Sequence, residues 1–91
     1  MPTEKIRSAS FNPSTVDLGD STELVVDYFA AEGGTLTLTP SGLVEPESFQ
    51  LDAQPEGAAP FKATVTAKER GNYSIVFELH GYKRIAPLKV R

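Results

Sequence analysis

Apolar and polar positions alternate most strictly late in the chain. Tyr73, Ile75, Phe77 and Leu79 take turns with Asn72, Ser74, Val76 and Glu78. A repeat of two sends successive side chains to opposite faces, so this segment predicts a strand with one face in a core. Gly71 precedes it and Gly81 follows it. The same period recurs elsewhere. Strands are predicted from Lys5 to Phe11 with Ile6 inward, and from Ser14 to Leu18 after Pro13 interrupts the ladder. Ser21 to Phe29 follows, with Leu24, Val26 and Tyr28 on one face. Next come Thr35 to Thr39, with Leu36 and Leu38 between threonines, and Glu47 to Leu51, with Phe49 and Leu51 inward. Phe61 to Ala67 (Phe61, Ala63 and Val65 inward), Asn72 to His80 and Arg84 to Val90 complete the set. The threonines favour this reading, because β-branched side chains fit a pleated surface.

Turn residues fall at short intervals: Asn12-Pro13, Gly19-Asp20, Gly33-Gly34, Pro40-Ser41-Gly42, Pro55-Glu56-Gly57 and Gly71-Asn72. That spacing predicts an all-β Greek-key sandwich of seven to eight short antiparallel strands. Ala58-Ala59 and Ala67-Lys68-Glu69-Arg70 are each long enough for one helical turn only, and Pro60 disfavours helix at Ala59.

With 91 residues the chain is expected to form a single domain, 1–91. It has no cysteine, so no disulfide, thiolate metal site or thiol nucleophile is available. Its single histidine, His80, excludes a His-rich metal cluster within one chain. No apolar run approaches the roughly 20 residues that span a bilayer, and no membrane partner is expected.

The net charge of −3 is unevenly distributed. From Ser8 to Phe61 there is no Lys or Arg, while Asp17, Asp20, Glu23, Asp27, Glu32, Glu45, Glu47, Asp52 and Glu56 all lie there. From Lys62 onward Lys62, Lys68, Arg70, Lys83, Arg84, Lys89 and Arg91 face only Glu69 and Glu78. Solvated faces account for this plainly. Attraction between neighbouring copies, or to a larger partner, is the sharper account.

Two segments carry a resemblance. In Gly19-Asp20-Ser21-Thr22-Glu23-Leu24-Val25-Val26, a glycine and a leucine precede a buried position. In Gly71-Asn72-Tyr73-Ser74-Ile75, a tyrosine stands two residues before another. These resemble the facing strands of immunoglobulin-like domains, with Val26 and Ile75 at the two cysteine positions. The resemblance implies that Tyr73 forms a tyrosine corner. It also implies that Leu36 or Leu38 fills the space of the family's absent tryptophan. Lacking both bridge and tryptophan, the chain resembles bacterial and phage immunoglobulin-like modules, many of which lack them too. Asn12-Pro13-Ser14-Thr15-Val16-Asp17-Leu18 and Gly34-Thr35-Leu36-Thr37-Leu38-Thr39-Pro40 are similar to segments of such modules. The likeness implies a fold rather than a ligand.

Candidate chemistry is sparse. His80 has Ser74 and Glu78 on its own strand, but no nucleophile elbow accompanies them. No enzyme and no cofactor are expected. Asp17, Asp20 and Glu23 cluster near one turn, yet no Asp-Xaa-Asp-Xaa-Asp-Gly loop exists, so they read as solvated loop acids and no metal is expected. Asn72-Tyr73-Ser74 matches a glycosylation sequon, but it lies at the mouth of a buried strand and reads as a chance match. Lys5 and Arg7 on the first strand, with Lys83, Arg84 and Lys89 on the last, would form one basic edge if those strands lie side by side. Tyr82 is its exposed aromatic. That edge would suit an acidic protein surface or a polysaccharide, but the preferred reading is that it guards an exposed edge strand against aggregation. Nucleic acid is not expected, since no aromatic residues interleave with the basic ones.

The expected function is therefore a structural or binding module. A start methionine without an apolar leader points to a phage virion component, such as a head-decoration or tail-associated protein docked on capsid or tail. The alternative is a repeat of a bacterial cell-surface protein acting as spacer or adhesin among neighbouring modules. A carbohydrate-binding accessory module comes third.

Overall fold

A computed structural model describes residues 4–91. It contains nine strands: β1 (Glu4–Asn12), β2 (Thr15–Val16), β3 (Ser21–Ala30), β4 (Gly34–Thr39), β5 (Val44–Glu45), β6 (Ser48–Leu51), β7 (Phe61–Ala67), β8 (Gly71–Leu79) and β9 (Tyr82–Val90). They form two packed sheets, ordered β1-β3-β7-β5 and β2-β9-β8-β4-β6. The molecule is an all-β sandwich. The described residues contain no helix, and the Ala58-Ala59 and Ala67–Arg70 segments lie outside helical structure.

Alternation along each strand builds the core. Thr22, Leu24, Val26, Tyr28 and Ala30 face inward from β3, and Ile75, Phe77 and Leu79 from β8. Leu36 and Leu38 fill the space between. Val26 and Ile75 are both fully buried, on opposite sheets, where apolar packing replaces a cross-link. Removing a side chain such as Phe77 from water is worth about 1.5–3 kcal/mol. Its ring lies 5.4 Å from that of Phe11 on the other sheet. Phe49 and Phe61 pair edge-on at 5.8 Å on the opposite flank.

Several details depart from the pattern-based expectation. There are nine strands because Val44–Glu45 adds a two-residue rung against β7. The second predicted strand shrinks to Thr15–Val16 and pairs parallel with β9, so the ladders are not all antiparallel. The last strand starts at Tyr82, and His80 leaves β8 for the turn with φ +52°.

The first strand holds a bulge. Ile6 opposes Tyr28 and Ser8 opposes Asp27, which leaves Arg7 as an extra residue. The bulge shifts the inward phase from Ile6 to Ala9 and Phe11. Without it, Ser8 and Ser10 would face the core.

Tyr73 forms the corner that the resemblance implies. Its hydroxyl donates to the Arg70 carbonyl. The ring folds back over Gly71, whose φ is +146°, and a methyl there would sit 2.8 Å from the ring. Only glycine fits that close approach.

Candidate functional site

The bulge and the β8–β9 turn place the basic residues. β1 is the edge of the four-stranded sheet, and β9 belongs to the other sheet. The first and last strands are therefore not hydrogen-bonded neighbours. They meet across the flank of the sandwich instead, with the Arg84 Nε donating to the carbonyl of the bulged Arg7 at 3.5 Å. Arg84 also donates to the Lys83 carbonyl at 3.3 Å.

Lys5, Arg7, Tyr82, Lys83 and Arg84 thus gather at one end of the molecule, all exposed. Lys89 does not join them. It lies at the far end, opposite Asn72 and beside Thr15. Part of the gathered charge is offset: Arg7 pairs with Glu56 and Lys83 with Glu78, each at 3.5 Å. Such exposed pairs contribute roughly 0–1 kcal/mol and order the side chains only weakly.

A shallow groove of about 400 Å³ opens beside this cluster. Phe29, Ala30, Ala31, Ala53, Gln54, Pro55 and Glu56 line it, and Lys5 stands opposite Phe29 across the ladder. Gln54 builds its wall. Its backbone exchanges two 2.8 Å hydrogen bonds with Ala30, while its side-chain amide donates to the Tyr28 and Ala59 carbonyls. Tyr28 completes the clamp by donating to the Asp52 carbonyl at 2.8 Å. Burial, and then the Asp52 charge, push the Tyr28 phenol above its usual range. Sequence reasoning missed Gln54 and the groove. The one available signal was a lone amide in an alanine- and proline-rich loop that must satisfy its own backbone.

The remaining candidates separate. His80 sits in the turn, its ring over Gly34, and Ser74 lies about 20 Å away along the strand at 3.3 Å per residue. The Asp17 carboxylate accepts from Arg91 Nε at 3.1 Å. Among the described residues no three His, Asp or Glu side chains converge on a metal-sized space. Tyr28 is core, Phe29 is half-buried and Tyr82 is exposed on another strand.

No family model matches the chain, and no curated protein matches it. Among solved structures it is similar to the crystal structure of the S-layer protein SbsC domains 4 and 5, with TM-score 0.54 and 13% identity. The match covers 96% of this chain and 53% of that one, so the chain spans about half the length of that structure. Likeness at this identity shows a shared fold.

Proposed function

We propose that the chain is a non-enzymatic immunoglobulin-like module that serves as a structural and binding unit in a bacterial cell-surface assembly. The observation that carries this is the fold held in common with paired domains of an S-layer protein. The path of the chain agrees with it. Glu4 opposes Ala30 at one end, whereas Arg91 bonds to Val16 and Leu18 at the other, in a molecule 41 Å long. Modules threaded this way string end to end without doubling back. Its partners are neighbouring surface modules, with envelope polysaccharide as a second class, and the contact surface is the end formed by Lys5, Arg7, Tyr82, Lys83 and Arg84.

Labelled protein titrated onto bacterial envelopes, and in parallel onto purified virions, tests the reading. Saturable envelope binding is expected, lost in Lys83→Glu with Arg84→Glu while the melting midpoint stays nearly constant, since these exposed charges add little to stability. Binding to virions alone would move the module to a phage head or tail. Binding to neither sinks the proposal.

A further inference from the structure

We infer that copies of this chain join edge to edge, the free edge of β9 in one copy adding to the free edge of β6 in the next. This rests on the surface-assembly reading and names its self-contact.

The backbone directions identify both edges. The Lys89 N–H donates to the Ser14 carbonyl and the Arg91 N–H to the Val16 carbonyl, each at 2.8 Å. Odd-numbered residues of β9 therefore turn their backbone groups away from β8. Beyond the short β2, those of Lys83 and Ile85 have no backbone partner among the described residues, on the flank that β1 lines, and Pro87 then ends the run because it has no N–H. At the other side of the same sheet, the Leu38 N–H donates to the Glu47 carbonyl at 2.8 Å. Glu47, Phe49 and Leu51 thus face β4, and Ser48 and Gln50 face outward. Among the described residues these outward groups have no backbone partner.

Unpaired strand edges are templates for another strand, and most are blunted. Here β1 carries the Arg7 bulge, and β5 has two residues followed by Pro46. β6 has no proline, charge or bulge.

Direction and pleat agree. β9, β8, β4 and β6 are successively antiparallel. A second copy in the same orientation therefore brings β9 antiparallel to β6. The side chains of Ser48, Gln50, Lys83 and Ile85 all lie exposed on the outer face, so the joined sheet keeps one inner side. Ile85, 64% exposed, is an aliphatic side chain at the middle of the offered edge.

Charge selects the occupant. Glu47 and Asp52 flank β6, and Lys83 and Arg84 open β9. Two β6 edges together would oppose acid to acid, which is unfavourable, whereas β6 on β9 opposes acid to base. The uneven charge along the chain becomes a lateral one across the five-stranded sheet. Because the two edges differ, the contact does not close, and copies add in rows.

Sedimentation and light scattering against concentration test this. The parent chain is expected to grow in size with concentration and to shrink again as salt screens the contact. Gln50→Pro and Ile85→Pro each remove an N–H that is unpaired in the monomer, so each should fold and stay monomeric. Mixed, they retain one complementary edge apiece and should stop at a 1:1 pair. Charge reversal is the second route, should a proline variant fail to fold. Lys83→Glu with Arg84→Glu, and Glu47→Lys with Asp52→Lys, should each be monomeric alone and associate only when mixed. A parent chain that stays monomeric to about 1 mM, or a Gln50→Pro chain that associates like the parent, overturns the pairing. A monomer that still saturates envelopes refutes the edge contact and leaves the surface role standing. Rows that bind no envelope do the reverse.

Discussion

At the scale of single residues, Gly71 and Tyr73 constrain one another. The glycine adopts φ +146° and the tyrosine ring occupies the space where its side chain would be. Tyr73→Phe removes only the hydroxyl donated to Arg70, and should lower unfolding free energy by about 0.5–1.5 kcal/mol. Gly71→Ala adds backbone strain of about 1–3 kcal/mol and a clash with the ring. The two positions touch, so their costs should couple. In a Tyr73→Ala background, Gly71→Ala should cost less than in the parent, as read from urea titrations. Strictly additive costs would mean that methyl and ring do not meet.

Among the elements, β1 shows how one residue can reset a pattern. Arg7 opposes nothing across the ladder, and only because of it do Ile6, Ala9 and Phe11 all face the core. Deleting Arg7 removes the bulge and leaves those three in phase, so stability should stay within about 1 kcal/mol of the parent. Deleting Ser74 from the bulge-free β8 puts Tyr73 out of phase with Ile75, Phe77 and Leu79. The loss should reach at least the 3–5 kcal/mol of a large core truncation. Thermal melts of the two deletions separate these outcomes. The same contrast explains what was legible beforehand. β3, β4, β7 and β8 each repeat with period two over a half-buried face, and their alternation announces them. Val44–Glu45 is too short to show a period, and its pairing with Ala67 and Thr66 depends on how distant segments meet. The basic cluster was legible as composition but not as geometry. Alternation says nothing about which sheet a strand joins or which end a residue reaches, so it does not separate Lys89 from residues at the opposite end. Gln54 works through backbone carbonyls that no sequence motif marks.

Taken as a whole, the molecule is an elongated body of 41 × 21 × 17 Å with its described ends far apart. The terminal strands belong to different sheets, yet β2 follows β1 directly in the chain and binds β9 in parallel. Tension applied at Glu4 and Arg91 therefore draws β2 and β9 in opposite directions along their own axes. The bonds from Lys89 to Ser14, Arg91 to Val16 and Leu18 to Arg91 cross that line of slip and are strained at once rather than in turn. In single-molecule pulling at equal loading rates, rupture should need more force in this direction than between Gln50 and Ile85, where the pull runs along the hydrogen bonds and opens them one after another. Equal forces would show that the slip line carries no special share. A string of such modules under stretch would hold its length until that small patch gave way, with the buried core unstretched until then.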